Sequence, residues 1–120
     1  MTELCDLTAR EARRRIGTKE ISPVELLESC IARTEAVNPA LNTLVTPCFE
    51  RAREEAKDAE RDVMDGEPLA LLHGLPFGVK DLEATEGVRT TYGSLIYEDN
   101  VPDEDQNSVA QIRANAGVMM

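Results

Sequence analysis

Tryptophan is absent from this chain of 120 residues, and aromatic side chains make up only 3% of it. A core therefore has to be assembled from Leu, Val, Ile and Ala, and the 42% apolar content is enough for one ordinary domain. There is a single histidine, His73, and there are three cysteines, Cys5, Cys30 and Cys48, far apart in sequence with no CxxC pair. That argues against a zinc site, and free thiols suit a reducing cytosol. No apolar run approaches the length of a membrane span, and the start MTELCDLTAREARRR has no apolar core of a signal peptide. A cytoplasmic location is expected. Basic residues are scarce too. The formal net charge is −10, and only Lys80, Arg89 and Arg113 carry positive charge after residue 62. Such a surface repels phosphate backbones and anionic lipid, which argues against nucleic-acid or membrane partners.

What is present reads mostly as helix. Thr8 followed by Glu11 forms a capping-box pattern, with Gly17 as a stop. Ser22, Pro23 and Glu25 make a stronger start, since proline at the first helical position loses no hydrogen bond. Val24, Leu27, Cys30, Ile31, Thr34 and Val37 continue at helical spacing, and Asn38-Pro39 is the expected end. Cys30 reads as a core thiol on that face. Residues 41–46 (LNTLVT) predict a short strand. A third helix follows Pro47, with Phe49, Ala52, Ala56, Ala59 and Val63 along a narrow seam and a charged outer face. Residues 83–105 read as loop with at most short strands. A last helix starts at Asn107 or Ser108 and stops at Gly117, with Val109, Ile112 and Ala116 on one face. Val118-Met119-Met120 begins an apolar strand, so the chain reads as the front part of something longer, with an uncovered sheet edge.

Chemistry is concentrated in LLHGLPFGVKDLEATEG, residues 71–87, where an apolar run delivers Lys80 into an acidic segment. A phosphate loop is excluded. Three residues rather than four separate Gly74 from Gly78, Val79 intervenes before the lysine, and Pro76 removes an amide. Two readings of Lys80 remain. It is a strand-end lysine with its stem on apolar neighbours, or a partly buried amine that accepts a proton. Apolar neighbours favour the second, and Asp81, Glu83 and Glu86 oppose it if they come close. His73 reads as a turn residue before Gly74 rather than as a base.

Residues 72–94, LHGLPFGVKDLEATEGVRTTYGS, resemble the lysine-bearing segment of the amidase signature family, whose members carry a similar G-[IL]-P-x-x-[VL]-K-D run followed by G-x-x-T-x-x-G-S. Residues 20–45 resemble that family's leading helix and first strand, and residues 108–120 its next helix and strand. The resemblance implies an α/β fold in which helices cover a mixed sheet. Residues 1–120 would form the N-terminal part of a single amidase domain, incomplete at its C-terminal end. It also implies C–N hydrolysis of a small-molecule carboxylic amide, without metal or organic cofactor. The chemistry is a relay of a lysine, a bridging serine held by a cis peptide, and a nucleophilic serine. Lys80 matches the lysine. Both serines belong to a downstream Gly/Ser-rich stretch that these residues lack. Ser94 sits in the loop motif and Ser108 at a helix start, so neither matches the nucleophile's context, and the piece alone is expected to be inactive. Two rivals stand beside this reading: the amidase-type subunit of a tRNA-dependent amidotransferase, and a non-catalytic interaction module.

Overall fold

The computed structural model describes residues 2–120. Four helices, α1 (Ala9–Gly17), α2 (Pro23–Leu41), α3 (Phe49–Met64) and α4 (Asn107–Ala114), surround one parallel pair of strands, β1 (Pro76–Phe77) and β2 (Val118–Met119). Short 3-10 turns occur at Leu4–Asp6 and Leu95–Tyr97. This is an α/β arrangement, with Pro76 opposite Val118 and Phe77 opposite Met119.

α2 organises the rest. Its start is as the residues dictate. Ser22 Oγ accepts the Glu25 N–H at 3.0 Å, Glu25 Oε2 accepts the Ser22 N–H at 2.9 Å, and Pro23 opens the first turn. The two sides of α2 then enter different apolar clusters. Leu27 and Ile31 meet Ala52, Ala56 and Val118, while Leu26 meets Ala12, Ile16 and Val63. The alanine seam of α3 is buried, and the missing side-chain bulk lets the two helices approach closely. Outside that seam, Arg53 bridges to Glu28 on α2 at 2.7 Å, and Lys57 and Arg61 pair with Glu54 and Asp58.

Several expectations are corrected. Glu11 does not reach back to its cap: Thr8 Oγ1 accepts the Glu11 N–H at 3.2 Å, but the carboxylate is held by Arg14 and Arg15. α2 does not end at Asn38-Pro39 but at Leu41, where Asn42 takes a left-handed conformation at φ 49°. The expected strand at residues 41–46 does not form. The Asn38 side chain takes both the N–H and the C=O of Leu44, each at 2.9 Å, and a ladder would need those groups. The stop of α4 also differs from expectation. Ala116, at φ 61°, is the left-handed residue; its N–H bonds Arg113 C=O, and the Gly117 N–H bonds Ile112 C=O, a Schellman closure. Gly117 is needed for space instead. A Cβ there would lie 2.9 Å from Ile112 and 3.1 Å from the Phe77 ring.

The apolar end is not left bare. Val118 and Met119 are 1% and 2% exposed. On the side of β2 away from β1, Glu55 Oε2 accepts the Met119 N–H at 3.3 Å and the Cys48 thiol meets the Met119 carbonyl at 3.5 Å. Side chains, not a neighbouring strand, satisfy that edge.

Candidate functional site

The segment that carries Lys80 is anchored at both ends of β1. Upstream, the Leu72 and Gly74 N–H groups bond the carbonyls of Asn115 and Ala116, the turn just after α4. Gly74 has φ +75°, and its missing Cβ leaves room for the Pro23 ring. His73 is buried at 3% exposure with Nε2 2.9 Å from the Ala59 carbonyl, so that nitrogen carries the proton and donates. It pins the turn to α3. Downstream, β1 gives way at Gly78, and Lys80 follows in an open turn closed by the Glu83 N–H on the Lys80 carbonyl.

Lys80 stands at a cleft of about 240 Å³ whose walls include Leu44, Thr46, Cys48, Thr90 and Met119. Its side chain is exposed. The apolar burial read from the flanking residues is therefore not supplied by residues 2–120: Val79 and Phe77 are half-buried, but the amine passes beyond them. None of the ion pairs among the described residues includes Lys80.

The neighbouring carboxylates are occupied elsewhere. Asp81 Oδ1 accepts the Thr91 N–H at 2.7 Å, and Oδ2 accepts the Thr91 hydroxyl. Glu83 accepts the Ser108 hydroxyl at 2.8 Å. The loop of residues 83–105 has no strand, yet it is laced across its width. Gln106 N–H bonds Ala84 C=O, Gly87 N–H bonds Pro102 C=O, and Thr90 N–H bonds Asn100 C=O, with Asn100 Nδ2 returning to Thr90 C=O. Arg51 and Arg89 also donate, to the backbone carbonyls of Glu86 and Glu98. The result is a stiff rim with a cation at its edge.

The two candidate hydroxyls are structural. Ser94 Oγ caps the 3-10 turn by accepting the Ile96 N–H at 3.3 Å, and Ser108 serves Glu83. Neither lines the cleft of Lys80. Burial raises the Cys48 thiol above its ordinary value, so it is a poor nucleophile at neutral pH. Among the described residues no group of three or more His, Cys, Asp or Glu could hold a metal ion, and no helix is long and apolar enough to cross a membrane. Sequence reading missed the Asp81–Thr91 clamp. The signal was an acid and a hydroxyl ten residues apart across Gly87, legible only as an unplaced loop.

Comparison with known proteins gives a consistent family. The Amidase family profile matches residues 25–120. A glutamyl-tRNA(Gln) amidotransferase subunit of Geotalea daltonii is 39% identical over 118 residues, covering 98% of this chain and 24% of that protein. An acylamidase of Rhodococcus erythropolis is 34% identical over 114 residues, 95% of this chain and 24% of its own length. The crystal structure of a bacterial aryl acylamidase of the amidase signature enzymes superposes with a TM-score of 0.88 at 30% identity, over 95% of this chain and 24% of that one. The chain thus spans about a quarter of the length of these relatives.

Proposed function

Because the chain belongs to the amidase signature family, we propose that it carries the base-bearing segment of an amidase, and that Lys80 is the general base. The reaction class is hydrolysis of the C–N bond of a small carboxylic amide. Lys80 takes a proton, through a bridging serine, from a nucleophilic serine that attacks the amide carbonyl. The amine leaves, and water releases the acyl group. Both serines lie in the Gly/Ser-rich segment that the family resemblance implies, outside residues 1–120. The observation that carries the proposal is the presentation of Lys80: a cation at the rim of a cleft, on a stiffened loop, whose adjacent acids Asp81 and Glu83 are bound to Thr91 and Ser108. Among the described residues no carboxylate forms an ion pair with this amine.

The test is a pair of substitutions in a protein that joins this chain to the Gly/Ser-rich segment. Lys80→Ala loses turnover by about a hundred- to ten-thousand-fold with an unchanged melting temperature. Lys80→Arg fails nearly as badly, because a guanidinium stays charged. Near-normal turnover in Lys80→Arg would leave Lys80 as a strand-end cation and no more. Residues 1–120 alone are inactive toward aliphatic and aryl amides, since they bring a base without nucleophile or oxyanion donors.

The similarity to a glutamyl-tRNA(Gln) amidotransferase favours a second reading, in which the same chemistry releases ammonia from glutamine inside a larger assembly. Glutaminase activity and strict co-purification with other subunits distinguish it from a free-standing amidase. A non-catalytic module is the third reading, and an in-frame Gly/Ser-rich run downstream of Met120 argues against it. In either enzymatic role the protein works in the cytoplasm on a small-molecule amide, with neither nucleic acid nor membrane bound by these residues.

A further inference from the structure

The cysteines are separated in sequence, but the fold brings two of them to one place. Cys5 lies in the 3-10 turn Leu4–Asp6, which lies on α2: its N–H donates to Ser29 Oγ at 3.1 Å, and Ser29 is the residue before Cys30. Both thiols are free, both are half-buried, and both line the same apolar pocket of about 340 Å³, together with Leu7, Leu26, Leu75 and Phe77. Cys48 stands apart at the edge of β2, where its thiol meets the Met119 carbonyl.

We propose that Cys5 and Cys30 are a dithiol pair that closes to a reversible disulfide, strapping the N-terminal turn onto α2 across the mouth of that pocket. The hydrogen bond to Ser29 seats the turn of Cys5 beside the part of α2 that carries Cys30, and closure turns the two thiols toward each other. The Cys5 thiol now faces Glu3 Oε2 at 3.7 Å in an exposed contact, and turning from it breaks only that weak bond. Electrostatics agree with the proximity. Burial raises the Cys30 thiol first, and the charge of Cys5 raises it further, as expected of two groups on one pocket.

The oxidant is a small disulfide such as oxidised glutathione. One cysteine thiolate attacks a glutathione sulfur, expelling one glutathione thiolate and forming a mixed disulfide. The second cysteine thiolate attacks the protein sulfur and expels the other glutathione. Two protein thiols lose two protons and two electrons, and one oxidised glutathione becomes two reduced molecules. The strap closes a loop of the intervening chain and removes that freedom from the unfolded state.

The experiment equilibrates residues 1–120 with oxidised glutathione and reads intact mass, thiol count and tryptic peptides without reduction. The expected product is lighter by two hydrogens, keeps one titratable thiol, and yields residues 1–10 linked to residues 20–33. Its melting temperature rises by roughly 10 °C and returns on reduction. Cys5→Ser and Cys30→Ser lose the internal link, and Cys48→Ser retains it. Separate glutathione adducts on Cys5 and Cys30, a link that includes Cys48, or no oxidation at all would overturn the pairing. An unchanged or lowered melting temperature in the linked form would overturn the strap.

Discussion

Replacing Gly74 with alanine adds one methyl group at the point where the turn before β1 touches α2. Two costs follow. The backbone there sits at φ +75°, where an L-residue with a Cβ loses about 1–2 kcal/mol. The new Cβ would also lie 2.8 Å from Pro23 Cγ and 3.0 Å from Pro23 Cβ. Pro23 is a rigid ring locked into the first turn of α2, so it cannot swing aside as a lysine tip would. Overpacking of this kind costs about 1–3 kcal/mol, which brings the sum to about 2–5 kcal/mol. Against a typical total stability of about 5–15 kcal/mol, that loss is large. Urea unfolding followed by circular dichroism reads it as a midpoint lower by on the order of 2 M. Gly66→Ala is the control. Gly66 has nearly the same backbone, φ +73°, with nothing within 4 Å of its Cβ position, so only the backbone cost of about 1–2 kcal/mol applies. The entropy that alanine removes from the unfolded chain offsets both variants alike. If Gly74→Ala cost no more than Gly66→Ala, the close approach to Pro23 would not be real and the seating of the lysine segment would need another explanation.

Other substitutions test the remaining joints. Ala116→Gly relieves the left-handed position after α4 and should raise stability by about 0.5–1 kcal/mol, while Gly117→Ala should lower it by about 1–3 kcal/mol through contact with Ile112 and Phe77; urea midpoints should move in opposite directions. Ser22→Ala removes the capping box of α2 at about 1 kcal/mol, and an equal midpoint to the parent would mean the cap is solvated away. Glu11 has its carboxyl held down to about 2 from an ordinary 4.5, first by Arg14 and then by Arg15. A lowered folded value means a contribution that is complete above about 4.5 and is lost as pH falls towards 2. Glu11→Gln should flatten the stability profile in that window by a small, salt-sensitive amount, because water screens the group.

Local rules were legible wherever one residue type answers one local need. Ser22, Pro23 and Glu25 announce a helix start because each satisfies or removes a specific amide, and the alanine seam of α3 follows from spacing alone. Competition between local rules was not legible. Residues 41–46 have strand composition, but the Asn38 amide reaches Leu44 first, and nothing in a pattern of alternating apolar residues reveals that. Gly117 looks like the left-handed stop because glycine favours that conformation, whereas the crowding its Cβ would meet depends on Phe77, forty residues away. The lysine segment was recognisable as a motif, and its environment was not. Whether Lys80 is covered depends on surfaces brought together in space, and its own neighbours in sequence only border the cleft. Asp81 shows the same limit: adjacent to Lys80 in sequence, it spends its charge on Thr91.

The two-sided burial of α2 gives the molecule a particular way of coming apart. Leu26 and Leu27 are consecutive residues, yet they belong to clusters with no buried member in common. β2 contributes Val118 to the cluster around Leu27 and α1 contributes Ala12 and Ile16 to the cluster around Leu26, and α2 is the helix that enters both. Amide protons in its central turns should therefore exchange with solvent only through complete opening of the chain, and those of α1 and α4 through smaller, cheaper openings. This helix is the common spine of both clusters.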